Sequence, residues 1–564
     1  MATPIGKGNC SLNLFLRNWR NLCFHFHRFS TSSIESSSPL PFKSITSTIR
    51  TKPSKRIPNN SSFFIPIPHQ TIPQAKGQDL DFINVSHSHI IHSQWENLQP
   101  FSHSLTPFRV KHILLKLKND AVLSLKFSNW VQNQNPSCHS LETHAILLHT
   151  LAKNRNFRAI QTLLKRIIAD SGALDLDLPS KLFESLLCSY RLCDSTPLVF
   201  DALFKTFAHL NKIRNATNTF CRMKEYGFFP TVESCNAFMS SLIHLQRPEV
   251  ALLFYCEMRR SCVSINVYTV NMVICAYCKL GELQKGFEVL EKMRDMGLSP
   301  NVVSFNALIS GYCNKGMVSL ALKVKSLMEH NGVQPNVVTF NTIINGFCKE
   351  RKLHEANKVF NEMKGCNVAA NIVTYNTLIN GYSSVGNSEM GTRLYEEMRR
   401  DGIKADILTY NALILGLCKE GKTKKAAYLV KELDKENLVP NASTFSALIT
   451  GQCARKNSER AFLIYRSMIR SGCNPNEHTF KMLMSAFLHN EDFDGAVQVL
   501  RDMLGRSMAP DSLVLSELCG GLCRCGRNQL ASTLCSEMEN KHLLPEGFDK
   551  GQITIDHPEN ETKN

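Results

Sequence analysis

The chain has 564 residues, of which 43% are hydrophobic and 20% are charged. This composition is ordinary for a folded protein, and the length is too great for one hydrophobic core, so several domains or an array of repeats are expected. No run of about 18 uncharged apolar residues occurs, which argues against a transmembrane helix.

The formal net charge is +17, and it is unevenly distributed. Residues 1–78 hold ten Lys or Arg residues and a single acidic residue, Glu35. More than half of the excess positive charge therefore belongs to an N-terminal leader. The mildly basic remainder is compatible with a polyanionic partner but does not require one.

The first 34 residues are rich in Ser, Thr and Arg and contain no acidic residue. Apolar and basic side chains fall on opposite faces of a helix over residues 12–28, a pattern typical of organellar transit peptides. The stretch Arg28-Phe29-Ser30 resembles a mitochondrial processing site. We therefore predict a transit peptide over residues 1–34 and favour the mitochondrion, with the chloroplast as the alternative destination and a disordered basic tail as the alternative interpretation.

The segments on either side of the central part are less regular. Residues 35–111 contain Pro- and Ser-rich runs such as SSSPLPF and KPSKRIPNNSS, and we predict a low-complexity linker there. Residues 112–196 fit helical repeats only loosely and are predicted to be degenerate N-terminal repeats with a cap. Residues 547–564 are predicted to be a polar C-terminal tail.

A period of 35 residues dominates residues 197–546, where ten repeats follow one another without a gap. Counting positions 1–35 within each repeat, Met occupies position 27 in nine of the ten, and Ala or Gly always occupies position 20. Self-similarity at this period indicates a solenoid. The repeats begin at Pro197, Val232, Val267, Val302, Val337, Ile372, Ile407, Ala442, Glu477 and Ser512.

Each repeat has the apolar spacing of two amphipathic helices. In the repeat from Val302, the first stripe is Phe305, Leu308, Ile309, Tyr312 and Cys313, and the second is Ala321, Val324 and Met328. Gly316 stands between the two stripes, where a left-handed residue would end the first helix. Neither helix can bury its apolar face alone, so neighbouring repeats are expected to stack.

Six of the 21 cysteines also follow the period, each at position 12 of its repeat. Their recurrence at one apolar position favours packing over metal binding, because free Cys behaves as a small hydrophobe. These residues are Cys278, Cys313, Cys348, Cys418, Cys453 and Cys523.

Segments such as VVTFNTIINGFCKERKLHEANKVFNEMKGCNV (337–368) resemble the pentatricopeptide repeat family. The 35-residue period and the NTLI-type first helix separate them from the 34-residue tetratricopeptide repeat, and the unbroken run resembles the P class of plant organelles. The resemblance implies an all-α fold, a right-handed superhelical α-solenoid of helix-turn-helix repeats. It also implies binding of single-stranded organellar RNA, about one base per repeat.

In that family the base is recognised by the residues at positions 5 and 35. Carried over to this chain, the resemblance assigns pyrimidine, with C preferred, to pairs of two Asn residues, U to Asn with Asp, and A to Ser with Asn. The predicted target core is 5′-YYYYUYA-3′. In chain order, the pairs are Asn236 with Asn266, Asn271 with Asn301, Asn306 with Asn336, Asn341 with Asn371, Asn376 with Asp406, Asn411 with Asn441, and Ser446 with Asn476.

Other positions follow or depart from the family pattern. Apolar residues at position 2, such as Val303, Val338 and Val373, are expected to wedge between successive bases, as in the family. Three position 5/35 pairs depart from it, so both ends of the register stay open. They are Asp201 with Thr231, Lys481 with Asp511, and Ser516 with Glu546.

Two alternatives stand beside RNA recognition. Asn at position 5 could merely cap a helix or bridge backbone between repeats, and the array could be a scaffold that binds proteins. The consecutive Asn residues at position 5 favour RNA, because a scaffold would leave those positions free to vary.

No enzyme, cofactor, metal or small-molecule substrate is expected. His557-Pro558-Glu559 matches HxE, but no CxxC follows it for a zinc deaminase site. The predicted activity is occupancy of a transcript, which would stabilise it, assist intron splicing or assist translation. Other RNA-processing factors are candidate partners beside the RNA itself.

Overall fold

The computed structural model describes residues 64–68, 71–170, 177–261, 263–545 and 548. The predicted transit peptide lies outside these residues, as does all of the predicted tail except residue 548. Every regular element in the described part is a helix, which confirms the predicted all-α class. The helices group into two compact units, Met1–Met272 and Val273–Asn564.

The N-terminal unit is built from short helices. Short 3-10 helices at Glu96–Ser104 and Pro136–Cys138 separate some of them. The α-helices are α1 (Gln78–Ile91), α2 (Pro107–Lys116), α3 (Ala121–Gln134), α4 (Leu141–Lys153), α5 (Phe157–Asp170), α6 (Leu178–Tyr190), α7 (Leu198–His209), α8 (Ile213–Glu225), α9 (Val232–His244) and α10 (Pro248–Arg260).

The linker predicted for residues 35–111 does not extend over residues 78–111, close to half of its length, where α1, the 3-10 helix Glu96–Ser104 and the start of α2 lie. Phe82 and Ile90 of α1 are buried in a cluster with Val110 of α2. The missed signal is the stripe at i, i+4 and i+8, whose middle position is Ser86, a buried serine. The helical period places Phe82, Ser86 and Ile90 on the buried face, whereas other apolar residues of α1 stay exposed.

The C-terminal unit repeats one hairpin of helices. The division between the two units falls within α11 (Val267–Leu280). The remaining helices are α12 (Leu283–Lys292), α13 (Val302–Asn314), α14 (Val318–His330), α15 (Val337–Lys349), α16 (Leu353–Gly365), α17 (Ile372–Ser384), α18 (Ser388–Arg400), α19 (Ile407–Lys419), α20 (Thr423–Lys435), α21 (Ala442–Ala454), α22 (Ser458–Arg470), α23 (Glu477–His489), α24 (Phe493–Gly505), α25 (Ser512–Arg524) and α26 (Asn528–Asn540).

The first helices of successive repeats form one layer in this unit. From α13 to α25, each first helix packs against the first helix of the next repeat and against its own second helix. The predicted stripes are buried, from Phe305 and Ile309 on α13 to Ala321 and Met328 on α14. Gly316 joins the two helices with φ +71°, a conformation that glycine adopts without steric cost. Neighbouring repeats therefore bury their apolar faces against one another.

Close packing between neighbouring first helices depends on a Gly at position 10. A Cβ atom placed on Gly381 would lie 2.7 Å from Sγ of Cys348, and one on Gly346 would lie 2.9 Å from Sγ of Cys313. The periodic cysteines thus fill the space that these glycines leave. Burial raises the pKa of Cys348 to about 12, as expected for a thiol that packs and does not react.

Candidate nucleic-acid interface

The residue at position 35 of each of the first nine repeats caps the first helix of the next repeat. Asn371, for example, precedes α17 with extended backbone, and its Oδ1 accepts a hydrogen bond of 3.0 Å from the backbone N–H of Thr374. In return, the Asn371 backbone N–H donates to Oγ1 of Thr374 at 3.2 Å. Asn and Asp are favoured at such N-caps because they satisfy an otherwise unpaired helical N–H group. Part of the periodic asparagine pattern is therefore helix capping.

The same Oδ1 atom also binds the amide of the preceding first helix. Nδ2 of Asn341, at position 5, donates to Oδ1 of Asn371 at 3.3 Å. The structure brings together five of the seven predicted pairs in this way. The Nδ2 to Oδ1 distances are 3.3 Å for Asn236 and Asn266, 3.4 Å for Asn306 and Asn336, 3.3 Å for Asn341 and Asn371, 3.0 Å for Asn376 and Asp406, and 3.1 Å for Asn411 and Asn441.

The two other predicted pairs have different surroundings. Asn271 is buried near the end of the N-terminal unit, and Asn301 caps α13 in the C-terminal unit. Ser446 and Asn476 both contact the hydroxyl of Thr479, at 3.4 Å and 2.8 Å. A serine is too short to reproduce the amide bridge of the other pairs.

The hydroxyl at position 3 is a site residue that the sequence reasoning missed. Oγ1 of Thr374 donates to Oδ1 of Asn341 in the preceding repeat at 2.7 Å. The available signal was the register itself, since Ser or Thr occupies position 3 in eight of the ten repeats. Equivalent hydrogen bonds of 2.6–2.8 Å join Thr269 to Asn236, Thr339 to Asn306, Thr409 to Asn376, and Thr444 to Asn411.

The predicted stacking residues at position 2 are exposed. Val303, Val338 and Val373 have between 53% and 57% of their surface accessible. Exposed apolar side chains that recur at one position are unusual on a solvated helix, and they lie on the helix that carries the amide pairs. They are therefore placed to contact a ligand that binds along the first helices.

The position 5/35 pairs that depart from the family pattern are engaged within the protein. The Asp201 carboxylate accepts hydrogen bonds from the Thr231 backbone N–H at 2.7 Å and from the Ser234 hydroxyl at 2.8 Å. Burial raises the pKa of Asp201, although these hydrogen bonds oppose the rise. Lys481 forms an ion pair with Asp511 at 2.7 Å. Glu546, predicted as the partner of Ser516, lies outside the described residues.

Asp406 differs from the other capping residues in its charge. Partial burial opposes its ionisation, but hydrogen bonds from the Thr409 backbone, Asn376 and the Thr409 hydroxyl together hold the pKa of Asp406 below its usual value. The fifth pair therefore presents an ionised carboxylate where its neighbours present a neutral amide.

Models of the pentatricopeptide repeat family match most of the repeat region. The PPR repeat family model matches residues 300–349, 335–382, 370–419, 405–454 and 444–489. A pentatricopeptide repeat domain model matches residues 254–315, and a PPR repeat model matches residues 478–508. The chain belongs to the pentatricopeptide repeat family.

Individual pentatricopeptide repeat proteins resemble the chain to different degrees. A mitochondrial pentatricopeptide repeat-containing protein of Arabidopsis thaliana is 60% identical over 204 residues, which is 36% of this chain and 39% of that protein. The chain thus spans less than half of the length of the curated relatives that it matches. The crystal structure of the pentatricopeptide repeat protein PPR10 from maize is 15% identical, with a TM-score of 0.42, over 84% of this chain and 90% of that chain. PPR10 in complex with an 18-nt psaJ RNA element is 16% identical, with a TM-score of 0.38, over 82% of this chain and 85% of that chain.

The described part of this pentatricopeptide repeat chain contains neither a metal-binding cluster nor a membrane-spanning helix. No cluster of three or more His, Cys, Asp or Glu side chains there could hold a metal ion. None of the described helices combines the length and the apolar composition needed to cross a bilayer. The HxE sequence at residues 557–559 lies outside the described residues.

Proposed function

We propose that the chain binds single-stranded organellar RNA sequence-specifically, with about one base per repeat, as a P-class pentatricopeptide repeat protein. The observation that carries the proposal is the recurring amide pair between positions 5 and 35, held in one geometry in five pairs. Membership of the family supports RNA as the ligand, and the family includes a protein crystallised in complex with an 18-nt RNA element.

The donors and acceptors of the Asn pairs favour a pyrimidine. Within the described part of the chain, Asn371 accepts its side-chain hydrogen bonds through Oδ1. Both N–H groups of its Nδ2 are therefore available to donate to a base. Asn341 adds the second N–H of its Nδ2. Cytosine offers two acceptors on its pairing edge, O2 and N3, which match these donors. A base with a donor at that place would face another donor.

The Asp-containing pair favours uracil for the same reason. Oδ1 of Asp406 accepts from Asn376 and from the Thr409 backbone, and Oδ2 supplies a further acceptor in place of the amide donors of Asn371. Uracil carries an N–H donor at N3 between two carbonyl acceptors. An acceptor from Asp406 and a donor from Asn376 match this edge.

The seven pairs then specify 5′-YYYYUYA-3′, with C at most Y positions. The exposed valines at position 2 would lie between successive bases and contribute apolar contact to each of them. Tight occupancy of such a site would act on a transcript without catalysis, by stabilising it, assisting intron splicing or assisting translation.

Binding of the full-length protein to short RNAs tests the function directly. At physiological salt, CCCCUCA should bind at least tenfold more tightly than a purine-rich RNA of the same length. Equal affinity for both would refute base recognition. Loss of binding to both would refute RNA as the ligand and would favour a protein-binding scaffold.

The proposed location is the mitochondrion. The acid-poor leader and the mitochondrial relatives support it. A fluorescent fusion to the C-terminus of the chain should localise with a mitochondrial marker in plant cells. Localisation with plastids, or in the cytosol, would refute the assignment.

A further inference from the structure

The hydroxyl at repeat position 3 is buried between the two amides of the preceding pair. Thr339, Thr374, Thr409 and Thr444 are fully buried. Oγ1 of Thr374 lies 2.7 Å from Oδ1 of Asn341 and 3.1 Å from Oδ1 of Asn371. A hydroxyl has one hydrogen to donate, and it donates this hydrogen to the nearer oxygen, Oδ1 of Asn341. The hydroxyl of Thr374 therefore belongs to Asn341, across the boundary between two repeats.

A chain of hydrogen bonds fixes the orientation of both amides. The Thr374 backbone N–H donates to Asn371, so the oxygen of Asn371 must face the helix and its Nδ2 must face away. That oxygen then attracts Nδ2 of Asn341 at 3.3 Å and repels its oxygen. The Thr374 hydroxyl gives the displaced oxygen a partner. Without the hydroxyl, the partly buried Oδ1 of Asn341 would lose this hydrogen bond, which is costly for an amide oxygen.

Two repeats lack this hydroxyl, the first with Val199 and the last with Val514. The pair that precedes the last repeat is not an amide pair but the ion pair of Lys481 with Asp511. Where the hydroxyl is serine, as at Ser234, it still donates to the position 5 side chain of the preceding repeat, at 2.8 Å to Asp201. The position 3 hydroxyl is thus present where the position 5 side chain of the preceding repeat has an oxygen that accepts its hydrogen bond.

We propose that the position 3 hydroxyl is a positioning group for base recognition. It holds the position 5 amide with its oxygen towards the protein, so that the pair presents N–H donors to the base. This inference rests on the proposed RNA-binding function and adds a third residue per repeat to the determinants of specificity. In its absence, the amide can turn its oxygen towards the base, and the repeat discriminates less between bases.

Thr374→Val tests the role of the hydroxyl at the fourth base of the target. The experiment measures the affinity of four proteins for the four RNAs CCCNUCA, where N is each base in turn. The proteins are full-length wild type, Thr374→Val, Thr374→Ser and Thr392→Val. The last variant removes a hydroxyl of α18 that bonds to the backbone of Ser388, away from the pairs. We expect the preference for C over the other three bases to fall at least fivefold in Thr374→Val. The preference should persist in Thr374→Ser and Thr392→Val.

The outcomes separate the two proposals. If wild type discriminates at N and Thr374→Val keeps the same ratios, the positioning role is refuted while RNA recognition stands. If wild type binds none of the four RNAs, the proposed function itself fails and this inference fails with it. A general loss of affinity in Thr374→Val with unchanged ratios would indicate a structural role only, and would also refute the inference.

A gain of specificity at the pair of the ninth repeat provides a test that does not depend on the stability of Thr374→Val. Lys481→Asn with Asp511→Asn creates an amide pair without the hydroxyl, and a further Val514→Thr supplies it. With RNAs CCCCUCAN, the triple variant should prefer C at N at least fivefold more strongly than the double variant. Equal preference in the two variants would overturn the proposal.

Discussion

Replacing Asp406 with Asn changes one charge in an otherwise conserved geometry. The distance from Asn376 Nδ2 to the capping Oδ1 is 3.0 Å, against 3.3 Å in the neighbouring pair of Asn341 and Asn371. The backbone hydrogen bond of the cap is 2.9 Å, against 3.0 Å in that pair. Because Asn and Asp are nearly equal N-caps, Asp406→Asn should change the free energy of unfolding by less than about 0.5 kcal/mol.

The effect on base preference should be much larger. A hydrogen bond to a charged group contributes about 1.5–3 kcal/mol, and the partial exposure of Asp406 favours the lower end of this range. The variant loses the acceptor for N3–H of uracil and gains donors that match cytosine. With about 1.4 kcal/mol for each factor of ten, the ratio of C to U affinity at the fifth base should rise by about 10- to 30-fold.

Fluorescence anisotropy with labelled CCCCUCA and CCCCCCA at physiological salt measures this ratio. The matched control is Asn371→Asp, which should move the preference at the fourth base towards U and leave the fifth base unchanged. A U preference that survives in Asp406→Asn would refute the assignment of this pair to the fifth base. A shift of both bases by a single substitution would refute one base per pair.

Three further predictions concern packing, thiol chemistry and stacking. Gly381→Ala should lower the free energy of unfolding by about 1–3 kcal/mol in chemical denaturation, because its Cβ would lie 2.7 Å from Sγ of Cys348. The control is Gly365→Ala, whose Cβ would have no atom within 4 Å. It should leave the free energy of unfolding unchanged or raise it by up to about 1 kcal/mol. An alkylating reagent at pH 8 should modify the exposed Cys366 in the native protein and leave Cys348 unmodified. Burial raises the pKa of Cys348 to about 12, and only the thiolate reacts. Equal labelling of the two peptides in mass spectrometry would contradict this reasoning. Val338→Ser should weaken RNA binding several-fold with little change in thermal stability, because Val338 is 57% exposed in the absence of RNA; a matching loss of stability would mean that it packs within the protein.

Much of the repeat architecture could be predicted from the sequence. The period, the apolar stripes and the glycine between them follow from local rules, because helical spacing and backbone conformation depend on residues close in the chain. Position 35 was associated with position 5 through the family resemblance. The helical segment from Gln78 was missed, because its buried stripe passes through Ser86.

The sequence by itself thus determined that the chain folds into repeated pairs of helices, and it marked which positions recur. Only the tertiary structure decided what those positions do for one another. Stacking brings Thr374 against Asn341, 33 residues earlier in the chain, and Gly381 against Cys348. Such contacts depend on the angle and distance between neighbouring helices, which no local spacing fixes. The asparagines are therefore held as oriented pairs, because the next repeat supplies both the cap and the hydroxyl.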